Sequence, residues 1–600
     1  MHSALVPERG TSLIMIEGGL TAIAIGVAFC WPRIGARYFS RVENLFGRLA
    51  RKQGLATIVV GITAVLLRLA ILPLVPVPHP FYPDDFSFLL AADTFASGRL
   101  ANPTPAMWQH FESFHITMKP TYMSMYFPAD GLVMAAGKVV FGHPWIGLLC
   151  MMGLMCAAIC WMLQAWLPPT WAFLGGMLAV LRLGLFSYWI NTYSGAGSIA
   201  ALGGALVLGA FPRFMKTAQL RHSLLMAVGI ILLATSRPYE GILLCLPVAF
   251  VLGRWIFFGN NRPAMPVLIR RTAAPLALIV AVGVWMGYYD YRAFGSPLTP
   301  PYKIDRTTYA VAPYYVWQST RPAPVYRHAV MRDFYTHYEI LDFGHVQTIS
   351  GFVPATLIKG VRGVRFFAGV ALLFPLIMLW RVLKDRRTRF LVVSVVILTA
   401  GMAIEIFLFP HYIAPFTAVF YALGLQAMRH LRVWKPANQP VGLALTRLIV
   451  TLCIGMSVLR VFAEPLHFRV PESSTSEGLA EWYGPGQFGV ARAGIADKLQ
   501  QVPGQQLVIV RYSASHNPIN EWVYNAPDID NSKVVWAREM DGADNLELIH
   551  YYKDRKVWLV QPDLQPAGLT PYPMPGTVTA IPPVNPISIT KRERKTEQGG

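Results

Sequence analysis

Apolar residues in this chain come in long runs, and the charged residues gather in the short segments between them. A helix needs about 20 apolar residues to cross the hydrocarbon core of a bilayer. On that measure the pattern predicts spans at Ser12–Cys30, 55–78, Trp145–Leu163, Trp171–Ile190, Ser198–Phe211, Leu224–Thr235, Gly241–Leu252, Ala273–Tyr288, Phe366–Trp380, Leu391–Phe409, Tyr412–Met428 and Leu445–Phe462. That gives about 11 core spans, or about 12 with the N-terminal run, which carries Glu17 and could instead be a signal-like or surface helix. Two shorter amphipathic stretches, Asp84–Ser97 and Gly131–Phe141, predict juxtamembrane helices, the first ended by Gly98. Past residue 464 the pattern changes. Gln506–Val510, Lys533–Trp536 and Lys556–Val560 read as short buried strands, with helices at Val490–Gln501 and Asn545–Tyr552.

The charges orient the spans. Arg33, Arg37, Arg41, Arg48, Arg51 and Lys52 stand against the single Glu43 in the loop after the first run, the mark of a cytoplasmic segment. Arg213, Lys216 and Arg221, then Arg254, Arg262, Arg270 and Arg271, then Arg381, Lys384, Arg386, Arg387 and Arg389 keep the alternation, as do Arg429, Arg432 and Lys435. The loops at 79–144 and 289–365 and the C-terminal segment are therefore expected outside. The expected organisation is an N-terminal apolar segment and basic loop (1–54), a transmembrane domain (55–463), an extracytoplasmic α/β domain (464–563) and a Pro-rich tail (564–600).

Composition agrees with this picture. Hydrophobic residues make up 54% and charged residues 14% of the 600. The net charge of +20 lies in the short loops, so it reports topology and not a nucleic-acid partner. All six cysteines fall in apolar runs, which implies no disulfide framework and no zinc spacing. The chain lacks an Asn-x-Ser/Thr site with a permitted middle residue. The expectation is a polytopic α-helical membrane protein with outer juxtamembrane helices and a small C-terminal α/β domain, placed in a bacterial inner membrane.

The chemistry centres on Asp84 and Asp85, two adjacent carboxylates at the outer end of a span. Such a pair can supply a general base, an acceptor for a hydroxyl proton, or a ligand to a divalent metal. Either residue can also cap the following helix, which Pro83 opens, and a cap role for one leaves the other free. Around them the loop holds Tyr82, Glu112, His115, Lys119 and Tyr122. The second outer loop mixes Lys303, Arg306, Arg321, Arg327 and Arg332 with many tyrosines, a combination that suits phosphate and sugar recognition or an interfacial aromatic belt.

The text Tyr82-Pro83-Asp84-Asp85-Phe86-Ser87-Phe88-Leu89, continued by Ala91-Ala92-Asp93-Thr94 and Gly98-Arg99-Leu100, resembles the opening of the GT-C glycosyltransferases. The bacterial relatives of protein O-mannosyltransferases and lipid A aminoarabinose transferases are the nearest in layout. The resemblance covers residues 55–430 in layout and the first loop in motif. Where that family has a Pro-Pro pair, this chain has Phe127-Pro128-Ala129-Asp130. The resemblance implies an inverting enzyme that moves a sugar from a polyprenyl-phosphate to an acceptor hydroxyl on a glycan, lipid or protein of the cell envelope. Asp84 then matches the base, and Asp85 is its support or a metal contact. Arg237, beside Pro238 in an interrupted hairpin, is the first candidate for the donor phosphate, with Lys303, Arg306 and His411 behind it. Tyr82, Glu112, Lys119, Tyr122 and Glu240 are candidate substrate contacts. The resemblance makes no cofactor certain and leaves a divalent metal possible, held by Asp84 and Asp85 if any.

Two other readings compete. A transporter or flippase for a lipid-linked sugar would also need an outer polar cavity, but the chain shows no internal repeat. A non-catalytic membrane protein could bind a partner through its outer domain. There Ser513, Ser515 and His516, with Asp528, Asp530, Asp541 and Asp544, raise the idea of a hydrolase, although no nucleophile-elbow glycines surround the serines.

Overall fold

The computed structural model describes residues 13–194, 197–463, 465–466 and 489–573. Helix α1 (Leu13–Cys30), the basic amphipathic α2 (Ala36–Arg51) and α3 (Gln53–Ala70) come first. The first long loop holds α4 (Pro83–Ala96), α5 (Trp108–Phe111), a small antiparallel pair β1 (Ile116–Thr117) and β2 (Met123–Ser124), and α6 (Pro128–Phe141). The bundle continues with α7 (Pro144–Trp166), α8 (Pro169–Ala179), α9 (Tyr188–Asn191), α10 (Gly197–Thr217), α11 (Leu220–Ser236), α12 (Pro238–Phe258) and α13 (Met265–Phe294). Short helices α14 (Pro301–Tyr309), α15 (Ala329–Asp333) and α16 (Glu339–His345) lead to α17 (Ile349–Ala368), α18 (Leu379–Lys384), α19 (Arg389–Ile404), α20 (Thr417–Arg432) and α21 (Val441–Val461).

Seven of the described helices are long and apolar enough to cross a membrane, or eight if one bent pair counts as a span. The chain is therefore an integral membrane protein, its backbone polar groups satisfied within helices as lipid requires. Most predicted spans coincide with a helix, and two do not. The predicted span Phe366–Trp380 is the second arm of a pair, Ile349–Ala368 and Ala371–Lys384, bent by 111°. Gly369 sits at the bend with φ +63° and ψ −164°, a combination open essentially to glycine. The predicted span Trp171–Ile190 is also interrupted, running from α8 through a π-helical turn at Val180–Gly184 to α9. The segment 289–365, expected as loop, is largely helical.

Ionic staples hold the bundle. Glu17 of α1 lies 3.6 Å from Arg460 of α21 and accepts the Ala371 amide at 3.1 Å, which docks α1 against the bundle. Glu43 of α2 pairs with both Arg432 and Arg447. Arg68, fully buried on α3, donates to the carbonyls of Val75 (2.9 Å) and Pro76 (3.2 Å) and to Asn191 Oδ1 (3.1 Å). Those bonds turn the chain as it leaves α3 and direct it toward α4. At Gly131 of α6 an added Cβ would lie 2.6 Å from that of Ala91, so only glycine allows α6 to approach α4 so closely.

The C-terminal segment forms α22 (Val490–Gln501), β3 (Gln506–Val510), β4 (Val534–Arg538), α23 (Gly542–Tyr551), β5 (Lys556–Gln561) and β6 (Gly568–Pro571). The sheet order is β4-β3-β5-β6, the first three parallel and β6 antiparallel. Strand β6 lies where the Pro-rich tail was expected, and residues 574–600 fall outside the described residues. Alternate residues of β3 face two cores. Val508 and Val510 pack with Ile495, Leu499 and Trp522. Leu507 and Ile509 pack with Phe111, Ile116, Met118 and Tyr122 of the first long loop. The sheet thus shares a core with that loop.

The seam between them contains a buried ion pair. Arg538 and Glu521 have side chains 2% and 1% exposed, and Arg538 Nε also donates to the Glu112 carbonyl at 2.6 Å. Removing one partner strands a buried charge, at a cost of about 3–5 kcal/mol, whereas replacing both with apolar residues of similar volume is often neutral. Glu521→Ala is expected to lower the melting temperature of the full-length protein sharply, and the double replacement Glu521→Leu/Arg538→Met to recover only part of the loss, because Ser113, Tyr512 and the amides of Trp522 and Val523 also donate to Glu521. Thermal unfolding in detergent measures both; equal melting temperatures for wild type and Glu521→Ala would remove the pair from the seam's energetics.

Candidate functional site

The N-terminus of α4 carries the two aspartates, and the fold gives them different work. Asp85 is buried, and its Oδ2 accepts the backbone amides of Phe81 (3.0 Å) and Tyr82 (3.2 Å). Its Oδ1 accepts the amide of Tyr193 at 2.9 Å. It is the N3 acid of a capping box whose N-cap is Tyr82. Burial pushes its pKa up to about 6, against the three amides, with the charge of Asp84 adding to the rise.

Asp84 points the other way. Its Oδ1 accepts both from His115 Nδ1 and from the Tyr126 hydroxyl, the latter at 2.6 Å. Oδ2 has no hydrogen bond to any described residue, and the side chain is 32% exposed. Burial works to raise the pKa of Asp84. The charge and hydrogen bond of His115, the Tyr126 hydroxyl and the charge of Arg237 outweigh it and hold the carboxyl below its ordinary value. His115 shifts the opposite way: burial favours its neutral form, but Asp84, Asp305 and Glu339 raise its pKa overall. His115 also has φ +60°, uncommon for a residue with a Cβ. Its carbonyl fixes that conformation by accepting from Ser87 Oγ (2.6 Å) and the Met125 amide (3.1 Å).

Aromatic rings wall this group. Tyr126 packs on Phe88 and on Tyr302 of α14. Arg237 stands at the junction of α11 and α12, 8% exposed, its guanidinium 4.4 Å from the centre of the Tyr412 ring. Its Nη1 is 3.8 Å from Glu240, and its Nε has no hydrogen-bond partner among the described residues. Asp130, in the first turn of α6, is buried, with its pKa pushed up to about 7 by burial against the opposing charge of Arg237. The neighbouring His411 shares a 2.5 Å hydrogen bond between its Nδ1 and the Tyr188 hydroxyl. Burial first and Arg237 second keep it neutral.

Several expected contacts are engaged elsewhere. Arg306 is committed to Glu339 (2.6 and 2.9 Å) and to the Ala312 carbonyl (2.5 Å), so its fork is not free for a phosphate. Lys303 is exposed, while its neighbours Asp305 and Arg306 face inward. Tyr122 is buried and donates to the Asn525 carbonyl at 2.8 Å, bracing the C-terminal sheet. Glu112 accepts from Tyr309 at 2.8 Å and lies 3.5 Å from Arg327. Lys119 sits 4.4 Å over the Trp108 ring in a side cavity of about 120 Å3. Tyr82 serves as the cap described above, and Glu240 as the partner of Arg237. Of the residues around Asp84 the sequence reading named His115 in the first loop; Tyr302 was one of many tyrosines in the second, and Tyr126 was missed. The contact of Arg237 with Tyr412 had no sequence signal, because 175 positions part them.

Asp84 Oδ1 and both oxygens of Asp85 already accept hydrogen bonds, so Asp84 Oδ2 is the oxygen of the pair left open to a divalent metal. Among the described residues no group of three or more His, Cys, Asp or Glu could hold an ion. The hydrolase idea fails on geometry: His516 Nδ1 is bonded to Asp563 (2.7 Å) and Nε2 to the Asn520 carbonyl (3.0 Å), leaving neither nitrogen for a serine.

No protein-family model matches the chain, and no curated relative does. Among solved structures it is similar to the oligosaccharyltransferase of Archaeoglobus fulgidus, at 11% identity and TM-score 0.42 over 77% of this chain and 62% of that one. It is similar to ArnT from Cupriavidus metallidurans at 14% identity and TM-score 0.47, over 83% of this chain and 92% of that one. It is also similar to the arabinofuranosyltransferase AftD from Mycobacteria at 14% and 0.37, over 84% and 35%. At these identities the likeness is one of chain course. The chain spans about 62–68% of the length of the archaeal enzyme.

The pair Asp84–His115 makes stability depend on pH with a definite sign. A lowered Asp pKa contributes fully above about 3.9 and is lost as pH falls through the folded value; a raised His pKa contributes fully below about 6.5 and is lost as pH rises through the folded value. The gap in melting temperature between wild type and His115→Asn is therefore expected to be widest near about pH 5 and to close on the alkaline side. Melting curves across pH check this, and a gap independent of pH would mean that the two groups are not charged partners.

Proposed function

We propose that the protein is a membrane glycosyltransferase that moves a sugar from a polyprenyl-phosphate donor to an acceptor hydroxyl at the extracytoplasmic face, with Asp84 as general base. The observation that carries this reading is the asymmetry of Asp84: one oxygen is pinned by His115 and Tyr126, while the other is free and partly exposed. The first-loop resemblance supports it, and the clustering of basic residues in the other set of loops supports the placement outside.

Asp84 Oδ2 takes the proton of the acceptor hydroxyl as its oxygen forms a bond to the anomeric carbon. The bond from that carbon to the donor phosphate oxygen breaks, and the electron pair leaves with the phosphate. Arg237 meets the charge that develops there. In-line attack from the side opposite the leaving group inverts the anomeric centre. His115 and Tyr126 do not touch the reacting atoms; they aim the carboxylate and keep it ionised. A polyprenyl-phosphate departs without a proton, so no general acid is needed.

Asp84→Asn keeps the shape and removes the base, and is expected to cut transfer by about 10²–10⁴ with donor binding retained. Release of polyprenyl-phosphate from a panel of lipid-linked sugars reads this, and near-normal turnover in the variant would end the assignment. Arg237→Ala is expected to weaken donor binding by roughly 10- to 150-fold, the worth of a charge-assisted contact of about 1.5–3 kcal/mol. Arg237→Lys should recover part of it, because an ammonium lacks the planar fork. Donor affinity and melting temperature on one preparation decide the matter: a fall in stability with affinity unchanged would make Arg237 structural.

A further inference from the structure

A crevice of about 380 Å3 opens at the carboxyl ends of β3 and β4, closed on its far side by the segment leading into α15. Ligands of parallel α/β sheets bind at this end of the strands, where backbone and loop groups converge, and the size lies within the range of small-molecule sites. Arg538 lines it. That side chain is 2% exposed, and its Nη1 has no hydrogen-bond partner among the described residues, although Nε and Nη2 are both used. A buried guanidinium N–H without an acceptor costs free energy unless something else accepts from it.

The charges lining the crevice nearly cancel. Arg327, Arg511 and Arg538 stand with four acids, Asp333, Glu539, Asp541 and Asp544, and no described residue hydrogen-bonds the carboxylate oxygens of Asp541 or Asp544. Such a balance disfavours a phosphate or a polyanion and suits an uncharged ligand rich in hydroxyls, each of which both donates and accepts. An extended peptide would bind by adding to a free strand edge, and β4 is buried along its whole length. Arg327 also lines the side cavity beside Trp108 and Glu112, and Glu112 precedes His115 by three residues. The two spaces meet at Arg327.

We infer that this crevice is a subsite for a neutral oligosaccharide portion of the acceptor, held away from the hydroxyl that reacts. The inference rests on the transferase reading for its role, and the crevice can be tested without it. Full-length protein in lipid nanodiscs is titrated calorimetrically with short neutral gluco-, manno- and galacto-oligosaccharides, with oligogalacturonates and with neutral peptides. Saturable binding of a neutral oligosaccharide is expected, weakened at least about tenfold, or about 1.4 kcal/mol, by Asp541→Asn/Asp544→Asn. Asp541 is exposed and Asp544 half-buried, so this pair spares the fold in a way that a change at Arg538 would not. Binding of the acidic sugars or the peptides alone overturns the inference, as does neutral binding that the double variant leaves unchanged, or no binding at all. Donor cleavage is measured separately, as polyprenyl-phosphate release into water. Its failure alongside intact oligosaccharide binding would strike the transferase reading and leave the crevice standing as a saccharide site.

Discussion

Three backbone amides converge on the Asp85 carboxylate, and much of the site follows from that convergence. The amides of Phe81 and Tyr82 close the start of α4, and that of Tyr193 belongs to the broken segment after α8. One buried side chain therefore joins the loop to the bundle at the point where α4 begins. With its neighbour so anchored, Asp84 has little freedom in backbone position, and its orientation is set by His115 and Tyr126. Removing water from such a carboxylate is costly, and the amides and the helix N-terminus offset much of that cost.

A second constraint is the crowding of buried charge. Arg237 stands among Glu240, Asp130 and Glu405, and Arg306 is neutralised by Glu339. Lone charges in this setting are costly, and the buried arginines draw on carbonyl or carboxylate partners. Arg68 and Arg182 are of this kind, holding carbonyls and so bending the chain. Arg237 differs in that its guanidinium holds no carbonyl of a described residue: its nearest carboxylate oxygen, on Glu240, is 3.8 Å away, and its other neighbour is the Tyr412 ring.

The C-terminal sheet is bound to the same loop through a shared core and the Arg538–Glu521 pair. Tyr524 stacks on Phe86, two residues from Asp84, and Arg492 lies over the other side of that environment. Any movement of the sheet would be felt at the start of α4. This coupling gives the C-terminal segment a reason to accompany the membrane bundle.

The sequence by itself determined the long apolar helices and their order, α4 and α6, and the β3, β4 and β5 strands, because apolar run length and period are local properties; it missed α2 and the helices within 289–365. It also marked Asp84-Asp85, since adjacent acids at the end of a span are conspicuous. It did not separate their roles, and it offered Lys303, Arg306 and Tyr122 as ligands by residue type alone. Whether an arginine is free or spent depends on partners far along the chain, such as Glu339 for Arg306 and Asn525 for Tyr122. The bend at Gly369 and the break after α8 were equally invisible, because an apolar run reads the same whether the helix through it is straight or interrupted. The tertiary structure decided these points: hydrogen bonds to distant groups fix which oxygen of Asp84 is held and which is left open, and no local pattern encodes that choice.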